Sequence, residues 1–441
     1  MEFFGREKEI DTLRRIRAAS HEWAKFTVIT GRRRVGKTEL VRQALNDGND
    51  AFVYLLITRQ SEGTLCETLQ MEVESQLGVP ILGQARGFAE IFRAVLKVSV
   101  AKPVTLVIDE FQEFDRVNPA IFGEVQKIWD EFHRRAKINL VVCGSVNRLM
   151  RKIFFNKAEP LYGRNTGHLK VAPFSVSLLK EIFRAKKANF SNEDLLALWS
   201  ITGGVARYVQ LLLDDKAYTK KAMVKTVLSM SSPFLDEGRV LLAEEFGGEY
   251  ATFFSILSEI ASGKTTFGEL AASVGHDVGT YLARLEGDYG IIRRQIPIFC
   301  RENSRNSAYR IDDCFLRFWF RFIFKYGGWL ELGRSADLER LVLRDFDAFS
   351  GYSLERYFFW KFAGAGEYTN MGGWWDRKGE NEIDLVCEDE VVGKIDFFEV
   401  KKNRGRYNAS LLESKLGAFF EKNPNKKSLV HSFGLLSLED M

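Results

Sequence analysis

The eight residues GRRRVGKT, Gly31–Thr38, constrain this chain more than any other stretch. They follow the apolar, β-branched run Phe26–Thr30, which reads as a buried strand, and they lead into ELVRQAL, which reads as a helix. Strand, glycine-bounded loop and helix in that order make a cradle for phosphate. Gly31 and Gly36 let backbone N–H groups curl around phosphate oxygens, and the helix start favours anions. Lys37 is then placed to reach the β and γ phosphates of ATP, and Thr38 to offer its hydroxyl to Mg2+. Arg34, Val35 and Glu39 lie in the same loop and first turn and belong to the nucleotide-binding set.

The strand signal recurs at AFVYLL (51–56), VTLVIDEF (104–111) and INLVVCGS (138–145), with helical stretches between, which predicts a parallel sheet covered by helices. In LVIDEF the strand delivers Asp109 to the carboxyl edge of the sheet, where it can hold Mg2+ through water, and Glu110 can polarise an attacking water. Ser145, at the end of the next strand, is placed like a γ-phosphate sensor; the alternative is a turn serine. Arg164 in PLYGR has the chemistry of an arginine finger presented across a subunit interface of a homo-oligomer, the alternative being an ordinary paired arginine.

After Phe174 the pattern turns helical up to about Pro233, with a glycine break at TGGVARYV (202–209), as in a small helical lid. Residues 258–294 read as helix, helix, helix and strand, with Thr266 and Glu269 in capping-box register, a winged-helix pattern. Its recognition segment, 277–287, carries Arg284 but also Glu286, and RENSRNSA (301–308) would be the wing tip. From Gly351 a helix, SLERYFFWKF, precedes the strands NEIDLVCED and KIDFFEVKK, a compact α/β module. The expected division is 1–174, 175–235, 236–335 and 336–441, in keeping with roughly 100–200 residues per domain.

In order, FFGREKEI, GRRRVGKTELV, LVIDEFQEF, CGS, PLYGR, GGVARYV and IDDCFLRFWFRF resemble the archaeal-type AAA+ P-loop ATPases. These are related to the signal-transducing NTPases with numerous domains and carry a C-terminal domain of unknown function. The resemblance covers nearly the whole chain and implies that Phe4, Gly5, Arg6 and Glu7 lie near the nucleotide base. One departure is in the lid, where Ala206 and Val209 stand at the proline and leucine positions of the family's GGxPxYL. The last module resembles PD-(D/E)XK nucleases, a restriction-endonuclease-like fold. There Asp384 and Glu399 on adjoining strands would hold Mg2+ against a scissile phosphate, Lys401 would orient water from the same face, and Glu355 would be the acid of the preceding helix.

The expected function is Mg2+-dependent ATP hydrolysis coupled to a C-terminal nuclease-like domain acting on DNA. Its rival is a nucleotide-driven switch whose last domain only binds a nucleic acid or protein. A net charge of +4 is too small to argue nucleic-acid binding globally. Locally, residues 393–427 hold nine Lys or Arg against four acids, which reads as a binding patch or as a solvated basic face. Five scattered cysteines without CxxC spacing indicate neither a disulfide framework nor a zinc site. The charged N-terminus is unlike a signal peptide, and no uncharged run reaches the roughly 18 residues of a membrane span. A cytoplasmic protein without membrane partners is therefore expected.

Overall fold

The computed structural model describes residues 3–441 other than 49, 82, 146, 188, 276 and 277. Residues up to Pro173 form one compact unit and residues 174–441 a second.

The first unit is built on β1 (Lys25–Thr30), β2 (Ala51–Leu56), β3 (Val104–Asp109), β4 (Ile138–Gly144) and β5 (Gly167–Lys170). They form, among the described residues, a five-stranded parallel sheet in the order β2-β3-β4-β1-β5. β3 and β4 are buried along their whole length because helices cover both faces, and this is why they read as unbroken apolar runs. Alternate residues serve opposite cores. Phe26, Val28, Leu106, Ile108, Leu140 and Val142 pack on one side, and Ile29, Val107, Val141 and Cys143 on the other. With β4 between β1 and β3, the carboxyl ends of all three strands meet at one edge.

In the second unit, helices at Val176–Lys186, Asn192–Thr202, Ala206–Asp214 and Lys220–Val227 form the lid-like segment. Gly203 and Gly204 have φ of 57° and 76°, and a Cβ on Gly204 would overlap the Phe174 carbonyl oxygen, so the glycine break is required by contact. Ala206 opens its helix at the first position, where proline is also favoured, so the departure from the family motif leaves the helix start intact.

Helices Tyr250–Ser262, Phe267–Val274 and Gly279–Gly287 precede an antiparallel hairpin of β6 (Ile292–Gln295) and β7 (Ala308–Ile311). The Thr266–Glu269 capping box is present. The first residue of the expected recognition segment, 277, lies outside the described residues. The loop of this hairpin carries the expected wing tip, 301–308. Ile298 donates its N–H to the Gly373 carbonyl (2.9 Å) and packs in one core with Trp374 and Ile383, so the hairpin loop is seated on the C-terminal sheet.

That sheet contains β8 (Asn370–Trp375), β9 (Glu382–Asp389), β10 (Lys394–Val400) and β11 (Val430–Leu436), in the order β11-β10-β9-β8. Trp374 and Trp375 lie within β8 itself, and Trp374 belongs to the core. The helix preceding the sheet also starts far earlier than Gly351. It spans Ser335–Ala365, packs at its start on helices 192–202 and 220–227, and brings Glu355 to β9 and β10. No helix among the described residues is long and apolar enough to cross a membrane.

Candidate functional site

At the edge of the first sheet, β1 ends in the loop 31–36. A Cβ on Gly31 would overlap the Val171 carbonyl oxygen, while Arg34 (φ 65°) and Gly36 (φ 94°) turn the backbone inward through the left-handed region. The loop delivers Lys37 and Thr38 as the first residues of helix Lys37–Leu45. Lys37 is 6% exposed, and its ammonium donates to the Gly31 (3.0 Å) and Arg32 (3.2 Å) carbonyls, lying across its own loop. Val35 is buried, and Glu39, in the first turn of that helix, accepts from Gln43 at 3.0 Å.

Thr38 donates its hydroxyl to Asp109 at 2.7 Å. Tyr54 on β2 donates to the same carboxylate oxygen at 2.7 Å, and the Glu110 N–H donates to the other oxygen at 2.9 Å. Burial, followed by the charge of Asp109, pushes the Tyr54 phenol well above its ordinary value, so it stays a donor. Two hard oxygen groups from different elements thus converge, a donor set that fits Mg2+. Glu110 sits at φ 53°, an uncommon backbone state for a non-glycine residue. Its carboxylate accepts from Ser145 (2.7 Å) and Gln112 (2.5 Å), so Asp109, Glu110 and Ser145 form one polar cluster at the ends of β3 and β4.

The remaining first-unit residues fall around this centre. Arg6, at φ 74° after Gly5 at 63°, donates to the Ala172 carbonyl (2.5 Å) and pairs with Glu9 (3.1 Å). Phe4 is partly buried beside it, and Glu7 opens the first helix. Arg164 pairs with Asp130 of its own chain (3.2 Å) and donates to the Tyr162 carbonyl (3.1 Å), with its side chain one-third exposed.

In the second unit, Asp384 on β9 accepts from the Val400 N–H (2.7 Å) and from Lys401 (2.9 Å). Lys401 also pairs with Glu399 at 2.8 Å, and Lys415, from the helix Ala409–Lys422, reaches the other Glu399 oxygen at 2.5 Å. Burial and then the charge of Asp384 push the partly buried Glu355 carboxyl up to about 8. Asp384 is likewise raised, by burial first. For Glu399 burial works upward, but the hydrogen bonds from Lys401 and Lys415 outweigh it and hold the group low. The structure therefore brings Glu355, Asp384, Glu399 and Lys401 together. Among the described residues no group of three or more His, Cys, Asp or Glu is arranged to hold a metal ion.

The basic stretch 393–427 is largely taken up internally. Besides Lys401 and Lys415, Lys394 pairs with Asp396, Lys402 with Asp347 and Glu193, Arg404 with Asp440 and Glu439, and Lys426 with Glu388. Arg284 is also committed, bidentate to Glu249 at 2.7 and 2.6 Å.

A family model described as an ATPase domain predominantly from Archaea matches residues 3–212. An uncharacterized protein of Methanocaldococcus jannaschii is 30% identical over 409 residues, covering 90% of this chain and 87% of its own length. The chain belongs to this archaeal ATPase family. A second model, for archaeal and bacterial proteins of unknown function, matches residues 319–411 of the ATPase. The fold is similar to that of the Walker-type ATPase of Pyrococcus abyssi, 19% identical, with a TM-score of 0.54 over 73% of this chain and 96% of that one.

Sequence reasoning missed three residues of these clusters. Tyr54 and Gln112 touch Asp109 and Glu110, and Lys415 touches Glu399. Only Gln112 had a local signal, standing two residues after Glu110. The others arrive from distant elements of the ATPase and carry no motif spacing.

Proposed function

We propose that the protein is a Mg2+-dependent AAA+ ATPase whose nucleotide state controls a C-terminal nuclease-like module acting on DNA. ATP lies on the loop 31–36, Lys37 binds its β and γ phosphates, and Thr38 and Asp109 hold Mg2+, which supplies charge neutralisation of the transferred phosphoryl group. Glu110 accepts a proton from the attacking water, and Ser145, bonded to Glu110, reports the γ phosphate to that base. In an oligomer Arg164 leaves Asp130 and acts in trans. Glu7 with Phe4, Gly5 and Arg6 borders the base.

The nuclease reading is carried by the convergence of Asp384 and Glu399 on the Lys401 ammonium, with Glu355 beside them. Asp384 and Glu399 would hold the metal, Lys401 would orient water, and the three helices with their hairpin would serve as a winged helix. The test is to incubate the protein with Mg2+ or Mn2+ and labelled linear, circular and single-stranded DNA, beside Asp384→Ala. Metal-dependent cleavage lost in that variant supports the reading. Chelation of the metal should also stop ATP hydrolysis.

One observation favours a second reading. Glu399 is held by two lysines, and although Glu355 lies near, no group of three or more His, Cys, Asp or Glu among the described residues is arranged to hold a metal ion. A module so neutralised suits a switch whose last domain only binds a nucleic-acid or protein partner. ATP hydrolysis without cleavage of any DNA would favour it.

A further inference from the structure

Two exposed loops flank the Asp384 end of the C-terminal sheet, and each is built around one side chain that holds its backbone. In residues 301–307, Arg294 donates to the Glu302 carbonyl (2.7 Å), the Ser304 carbonyl (2.5 Å) and the Ser307 hydroxyl (3.2 Å). In residues 376–381, the Asp376 carboxylate accepts from the N–H groups of Lys378 (3.0 Å), Glu380 (3.0 Å) and Asn381 (3.2 Å). The loops are clasped together. Trp375 donates its indole N–H to Asn306 (3.0 Å), and the Asn306 amide donates back to the Trp375 carbonyl (3.3 Å).

Order of this kind leaves Arg301, Arg305, Arg377 and Lys378 exposed. Among the described residues their side chains have no ion-pair or hydrogen-bond partner, unlike the committed lysines of 393–427. Glu302 and Glu380 share the loops, while the charge of Asp376 is already taken up by backbone N–H groups. The position matters as much as the charge. Trp375 pairs with Glu382 across β8 and β9, and Asp384 follows two residues later on the same face, roughly 7 Å along the strand.

We propose that these two loops form a phosphate-gripping rim that holds the backbone of duplex DNA beside the Asp384–Glu399–Lys401 cluster. The proposal rests on the DNA-directed reading above and adds where the polymer is held. A polymer presented to a strand-edge site must run past it, and unpaired guanidinium and ammonium groups on pre-ordered loops grip phosphates at little ordering cost. The binding is sequence-independent and strongly salt-dependent.

The test uses the full chain and a labelled linear duplex, with Ca2+ in place of Mg2+, and follows fluorescence anisotropy over a series of salt concentrations. The combined variant Arg305→Ala, Arg377→Ala, Lys378→Ala should bind about tenfold more weakly or worse, with a log–log salt slope shallower by about 2 to 3. Arg305→Lys with Arg377→Lys should bind as the parent does, and thermal unfolding of each variant should be unchanged. Asp384→Ala should retain rim-dependent binding even if cleavage is never seen, which separates failure of the nuclease reading from failure of the rim. Equal affinity and slope in the alanine variant, or no duplex binding by the parent, would overturn the proposal.

Discussion

Lys37 is nearly buried and donates to the Gly31 and Arg32 carbonyls of its own loop, so its charge is already placed where phosphate oxygens are cradled. Lys37→Ala should lower ATP turnover by about 100-fold or more, measured as phosphate release under saturating Mg2+. Glu355 gives a pH prediction. Its carboxyl is raised from an ordinary 4.5 to about 8, so the folded protein holds it protonated over a range where the unfolded chain ionises it. The stability this contributes is complete below about 4.5 and is lost as pH rises toward about 8. Glu355→Gln keeps the neutral form, so its Tm should match the parent at acidic pH and exceed it at pH above about 8, read by thermal unfolding. The loop glycines, Lys37 and Thr38 were legible because phosphate geometry dictates their spacing within one short segment, and Asp109 because it ends an apolar strand. Tyr54 and Lys415 were not, because only the folded sheet and helix bring them to their carboxylates.

Elements were legible in proportion to their burial. β1, β3 and β4 are apolar runs buried along nearly their whole length, whereas β5 is four residues long with every second residue exposed. β8, NMGGWW, carries two glycines that break strand propensity, so it is not among the strands the sequence indicates. The hairpin loop 296–307 is polar at its tip, as a free wing would be, yet Ile298 and Asn306 tie it to β8. Period-2 and period-3.6 patterns describe a single element and do not record which sheet a loop will sit on. Gly204 tests the lid segment. Ala there would force a positive φ and an overlap with the Phe174 carbonyl, so Gly204→Ala should destabilise the second unit by about 2 kcal/mol or more in urea unfolding.

For the whole molecule, an archaeal ATPase domain shares one chain with a module whose acidic and basic side chains gather at a single strand edge. In the proposed function ATP turnover in the first controls DNA cleavage in the second, and Lys37→Ala and Asp384→Ala should each disable one half alone. The decisive measurement is Mn2+- or Mg2+-supported DNA cleavage with and without ATP, compared across the parent, Lys37→Ala and Asp384→Ala. Cleavage by the parent that changes with ATP, that no longer responds to ATP in Lys37→Ala, and that vanishes in Asp384→Ala with ATP hydrolysis intact is the predicted result. Cleavage indifferent to ATP, or persisting in Asp384→Ala, would contradict it.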